Sequence, residues 1–287
     1  MPWILRCAQD DKPVSLSPLL TQLMRAFILI LTFSMTSSVL AAPLWQDEFN
    51  QPPGTGPDPT KWVMDLGDNG WGNKELQTYT DSRENSFVVA DPEATDGRAL
   101  VLKAIRNPTA GYTSARLKTH GKFAARFGRI EARLKLPRGQ GIWPAFWMLG
   151  DDIDQVPWPA CGEIDVVELI GHQPGTLYGT IHGPGYSGQH GLTKFTVLPN
   201  DATFSEAYHI FAVDWRPGRI DWLLDGKIFH TRTPADLPPG TKWVFDDMNG
   251  FLLLNLAVGG AWPGYPDDTT IFPQEYRIDY VRVYGPQ

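Results

Sequence analysis

The chain has 287 residues, 42% of them hydrophobic and 20% charged, with a formal net charge of −7 at pH 7. This acidic balance, without any block of lysine or arginine, excludes the basic footprint that nucleic-acid phosphates require. Its 28 glycines and 25 prolines are too much turn chemistry for a helix bundle and too little for a disordered or collagen-like chain, which leaves a turn-rich all-β protein.

Residues 1–42 read as a leader. Met24 and Arg25 precede the apolar run AFILILTF at 26–33, small polar residues follow, and VLAAP at 39–43 closes the segment. That is the order of a secretory signal: a positive residue, an apolar run too short to span a bilayer, and small side chains at Val39 and Ala41 before cleavage near Ala41 or Ala42. Asp10, Asp11 and Pro13 are foreign to such a signal, so translation is expected to start at Met24; an uncleaved anchor is the alternative. Cleavage predicts a secreted protein, extracellular or periplasmic, without membrane contact; a monomer is expected separately. Residues 43–287 then form one domain, since no linker, low-complexity tract or repeat divides them. Cys7 leaves with the leader and Cys161 stands alone, so stability must come from a large core and not from an internal disulfide.

Strand periodicity follows along the mature chain. Residues 100–105 read as a strand. In RIEARLKL at 129–136, Ile130, Ala132, Leu134 and Leu136 share one face while Glu131, Arg133 and Lys135 take the other, the alternation of a half-buried antiparallel strand. A meander is expected from 211–215, through a turn at 216–219, to 220–224, the Asp225-Gly226 turn and 227–231. Residues 251–258 and 277–284 supply further strands. No amphipathic helix of twelve or more residues is apparent, and two packed antiparallel sheets are the natural solution.

The sharpest local feature is GEIDVVEL at 162–169. On a helix its three acids would scatter at roughly 0°, 200° and 140° around the cylinder, whereas Ile and Val favour a strand. In a strand Glu163 and Asp165 share a face, and Glu168 joins them only if one extra residue near Val166 or Val167 forms a β-bulge. Three acids crowded on one face push one another's pKa values apart. Glycoside hydrolysis needs that separation, with one carboxylate ionised and another protonated. A solvated strand face bearing a charge ladder is the alternative.

Beyond the acid segment stand WGNKELQ at 71–77, YTSARLK at 112–118, RFGRIEAR at 126–133, GIWPAFWML at 141–149, GTIH at 179–182, and LNLAVGG at 254–260 before WPG at 262–264. With these segments in this order the chain resembles glycoside hydrolase family 16, and within it the bacterial laminarinase-like endo-β-1,3-glucanases with the bulged Glu-x-Asp-x-x-Glu motif. The resemblance implies a jelly-roll β-sandwich with a concave cleft and a retaining double displacement, in which Glu163 is the nucleophile, Glu168 the acid/base and Asp165 the residue that tunes the nucleophile. It implies a β-glucan polysaccharide as substrate and no cofactor for catalysis.

Aromatic rings should form the sugar platform, because the C–H face of a pyranose packs on a ring. Trp143 and Trp147, four apart and able to share a strand face, come first, and Trp262 is third. Core packing is the alternative for each. By resemblance Asn73 and Arg116 hold hydroxyls in the glycone half, and His182 is expected near Glu168. Ala261 departs from the family, which commonly has Asn there. Glu48, the carbonyl of Gly97 and Asp279 match the ligands of a structural calcium on the convex side, an all-oxygen set suited to Ca²⁺. Two further readings stay open, a hydrolase of agarose, porphyran or carrageenan and a non-catalytic carbohydrate-binding protein.

Overall fold

The computed structural model describes residues 42–109 and 111–286; the leader expected at 1–42 lies, but for Ala42, outside them. In chain order the strands are β1 (Trp45–Asp47), β2 (Val63–Met64), β3 (Gln77–Tyr79), β4 (Ser86–Ala90), β5 (Arg98–Asn107), β6 (Gly111–Ser114), β7 (Arg116–Lys118), β8 (Gly128–Lys135), β9 (Ile142–Gly150), β10 (Glu163–Glu168), β11 (Thr176–His182), β12 (Leu192–Val197), β13 (His209–Arg216), β14 (Arg219–Leu224), β15 (Lys227–Arg232), β16 (Gly250–Val258) and β17 (Gln274–Tyr284). The only helices among the described residues are single 3-10 turns at Gly70–Gly72, Gly188–His190 and Pro234–Asp236, none able to cross a membrane.

The strands form two sheets. One runs β12-β11-β10-β9-β16-β7-β2; the other runs β15-β14-β13-β8-β17-β5-β6-β3, with β1 added on β17 and β4 on β5. Strands far apart in sequence lie side by side, β16 next to β9 and β17 next to β8, as a jelly roll requires. The expected meander is β13-β14-β15. Its second turn places Asp225 at φ +49° and Gly226 at φ +77°, the pair of positive φ values whose twist suits a two-residue hairpin.

Alternation decides what enters the core. Ile130, Ala132 and Leu134 of β8 are fully buried, and with Trp215 and Trp222 of the meander they meet Phe146, Ile164, Val167 and Leu254 from the other sheet. Glu131, expected on the outer face, is also buried, because Arg129 and the Tyr280 hydroxyl both donate to its carboxylate. With one face of β9, β10, β11 and β16 given to this core, the opposite face is left for the side chains that carry chemistry.

Candidate active site

The bulge is present and sets the site. Across β9, Asp165 faces Trp147 and Val167 faces Phe146, so the register skips at Val166. Across β11, Asp165 faces Thr180 and Glu168 faces Tyr178. The extra residue turns Glu168 onto the face that already carries Glu163 and Asp165, while Ile164, Val166 and Val167 are buried.

Each glutamate has an indole donor. Trp158 Nε1 donates to Glu163 Oε2 at 2.6 Å, and Trp143 Nε1 donates to Glu168 Oε1 at 3.2 Å. Asp165 is buried between them, with its backbone carbonyl accepting from Trp222 Nε1 at 2.7 Å. That indole reaches through the core because β11 has a glycine in its path. A Cβ on Gly179 would lie 2.6 Å from Trp222 Cδ1.

His182 is not where the sequence suggested. The antiparallel register sets it opposite Glu163, with Tyr178 opposite Glu168, and its Nε2 lies 3.3 Å from Asp165 Oδ2 and 3.8 Å from Glu163 Oε1. Ligating atoms of Glu163, Asp165 and His182 all fall within 4.8 Å of one another, the only such group of three among the described residues. Burial raises the pKa of all three acids, and the Asp165 charge pushes both glutamates further up. His182 opposes this at both glutamates, joined by the Trp158 N–H at Glu163 and the Trp143 N–H at Glu168. Three carboxylates so close cannot all ionise. Glu163 has the indole at 2.6 Å and the imidazole close by, which makes it the glutamate better able to hold negative charge; Glu168 keeps a proton to give.

Toward β7 the floor is polar. Asn73 Nδ2 donates to Glu75 Oε1, Gln77 Nε2 and the Tyr79 hydroxyl donate to Glu75 Oε2, and Asn255 bridges from the Tyr79 oxygen to Trp147 Nε1. Glu75 is buried, and desolvation raises its pKa against these donors. Arg116 pairs with Asp65 at 3.0 Å and lies 4.7 Å from the Trp71 ring and 4.9 Å from the Trp147 ring. Trp147 thus has its indole N–H on Asn255 and its ring on Arg116, while also packing on Leu149, Cys161, Phe251 and Leu253; it is half wall, half core. On the β11 side, the Trp143 and Trp262 rings meet edge to face at 5.6 Å. The Ala261 N–H donates to the Asn73 carbonyl at 2.8 Å, so the Trp262 loop is anchored by backbone where an Asn side chain is missing.

Four contributors escaped the sequence reading. Trp158 comes from a loop and gave no signal, nor did Asp65. Glu75 was readable, since Asn73, Glu75, Gln77 and Tyr79 alternate at the period of a strand face. Trp222 lies in the core, and its bond to the Asp165 carbonyl has no signal in the sequence.

The residues considered for calcium do not fit a cation as they stand. Glu48 is held by two hydrogen bonds from Arg282 at 2.9 and 2.8 Å. Asp279 pairs with Arg133 and accepts from the Thr95 N–H and hydroxyl, and the Gly97 carbonyl accepts from the Asp91 N–H. Both carboxylates are already neutralised by guanidinium groups, and a divalent ion would meet positive charge.

A carboxylate held for attack, a second kept protonated and a buried acid between them are what cleavage of a sugar acetal needs, and on this jelly roll they define a glycoside hydrolase. The model of glycosyl hydrolases family 16 matches residues 73–282, and the chain belongs to that family. It is 39% identical over 253 residues to a beta-glucanase of Rhodothermus marinus, covering 84% of each chain, and 38% identical over 257 residues to a glucan endo-1,3-beta-glucosidase of Cryptopygus antarcticus, covering 83% of this chain and 90% of the other. The laminarinase catalytic domain of Thermotoga maritima superposes with a TM-score of 0.77 at 45% identity, over 85% of this chain and 98% of that one.

Proposed function

We propose that this chain is an endo-acting β-1,3-glucanase that cleaves laminarin-like or mixed-linkage β-glucans with retention of configuration, exported by its leader. Glu163 attacks the anomeric carbon while Glu168 passes its proton to the departing glycosidic oxygen, giving a covalent glycosyl-enzyme. Glu168, now ionised, takes a proton from water, whose oxygen displaces Glu163 and restores the starting anomeric configuration. Asp165 shares hydrogen bonding with Glu163 and releases it as charge leaves the carboxylate. No step calls for a metal or an organic cofactor.

The observation that carries this reading is the bulge that brings Glu163, Asp165 and Glu168 to one face, each glutamate with its own indole donor. The likeness to a glucan endo-1,3-beta-glucosidase and a laminarinase supports the choice of polymer. Reducing-sugar release by the purified chain from laminarin, curdlan, lichenan, agarose and κ-carrageenan tests it. Activity is expected on laminarin and lichenan; activity confined to agarose or carrageenan overturns the substrate, and inactivity on all five favours a binding protein. The presence of all three acids speaks against that last reading.

A further inference from the structure

From Glu168 the aromatic surface continues outward to the edge of the sheet. Trp143 bonds Glu168, and its ring meets Trp262, which meets Tyr178 edge to face at 5.0 Å. Tyr178 in turn packs at 5.9 Å on Phe195 of edge strand β12, directly across the β11–β12 pair. Phe195 is 59% exposed and Val197, two residues on and on the same face, is 57% exposed. The Tyr178 hydroxyl donates to Gln173 Oε1 at 2.5 Å, which fixes its ring. Two strand spacings separate β10 from β12, about 10 Å, enough for more than one sugar ring.

The two flanks of the acids differ in chemistry. Asn73 and Arg116 lie on the flank with directional donors, which suits the sugar whose anomeric carbon develops charge and must be oriented. The Tyr178–Phe195 flank offers ring faces and few donors, which suits a departing segment that needs affinity without strict orientation. We propose that Tyr178 and Phe195 form a shelf for the leaving-side sugars of a long β-glucan, extending the acceptor half of the cleft to β12. This rests on the glucanase reading. A second copy of the chain is a poorer occupant, because exposed Lys194 interrupts the β12 edge and the Thr193 carbonyl there already accepts from Arg232.

Phe195→Ala changes an exposed side chain and should not disturb folding. Wild type and variant are compared on laminarin and on an aryl β-laminaribioside, whose small leaving group does not reach β12. The expected result is a fall of about fivefold in kcat/KM on laminarin, carried mainly by KM, with the aryl glycoside unchanged. Equal values on laminarin, or equal losses on both substrates, overturn the shelf while leaving the glucanase intact. A wild-type enzyme that cleaves neither substrate refutes the glucanase reading, and the shelf with it. Sedimentation gives the remaining outcome. A wild-type dimer that Phe195→Ala splits assigns this face to a second copy and overturns the shelf.

Discussion

At the active site the roles of two glutamates rest on what touches each. Glu163 is held by Trp158 and neighboured by His182, whereas Glu168 has Trp143 as its hydrogen-bond donor among the described residues. Glu163→Ala should abolish turnover of laminarin and be rescued by azide as the α-glycosyl azide, because azide enters from the face the carboxylate left. Glu168→Ala should lower laminarin hydrolysis by about 10²- to 10⁴-fold yet still react with an activated aryl glycoside, and azide should release that intermediate as the β-glycosyl azide. Exchanged stereochemistry between the two variants would reverse the assignment. The pH profile tests Asp165 separately. Its charge raises both glutamates after burial has done so, so Asp165→Asn should lower both values and shift the alkaline limb, where Glu168 loses its proton, to lower pH. A residual activity whose alkaline limb stays in place would remove Asp165 from the proton balance. The acids themselves were legible because Glu-x-Asp-x-x-Glu among branched residues has only one way to face a single substrate. The place of His182 was not, since it depends on how β11 registers against a bulged strand, and a sequence does not display pairing.

Among the elements, β10 carries the chemistry and β11 and β14 hold it in place. The contact of Trp222 with the Asp165 carbonyl depends on Gly179 having no side chain. Gly179→Ala should therefore displace the indole, costing about 1–3 kcal/mol of stability and lowering kcat beyond what the lost stability explains at a temperature where the protein stays folded. Unchanged kcat would mean that the Asp165 carbonyl needs no anchor. β8 could be read from its alternation, β13–β15 from the turns that join them, and β16 from an apolar run that is buried along its whole length. The short strands β1, β2, β3 and β7 could not, since two or three residues carry no periodicity. The polar ladder from Asn73 to Tyr79 shows the reverse failure. Its period is visible in the sequence, but nothing there shows that Asn255 and Trp147 close over these polar side chains.

In the whole molecule, stability has a titratable element outside the cleft. His230 is buried against Trp222, ring centroids 4.6 Å apart, and burial with the nearby Arg232 and Lys194 charges pushes its pKa down to about 4. A depressed value means the fold prefers neutral imidazole. Its contribution is intact above about 6.5, the unfolded value, and is lost as pH falls from there toward 4. The urea midpoint of wild type should thus drop relative to that of His230→Phe between pH 7 and pH 5, whereas parallel curves would show that His230 does not titrate with folding. Calcium offers a second global test. Family resemblance pointed to Glu48, Gly97 and Asp279, but side-chain neutralisation by Arg282 and Arg133 depends on pairing across the sheet and is invisible in the motif. A chelator should leave the melting temperature unchanged, and a marked fall would restore the ion. The configuration of the first product decides whether Glu163 and Glu168 act by double displacement. Proton NMR of laminarin hydrolysis, followed before mutarotation, should show the new reducing end appearing as the β anomer. An initial α anomer would contradict the double displacement and the roles assigned to Glu163 and Glu168 together.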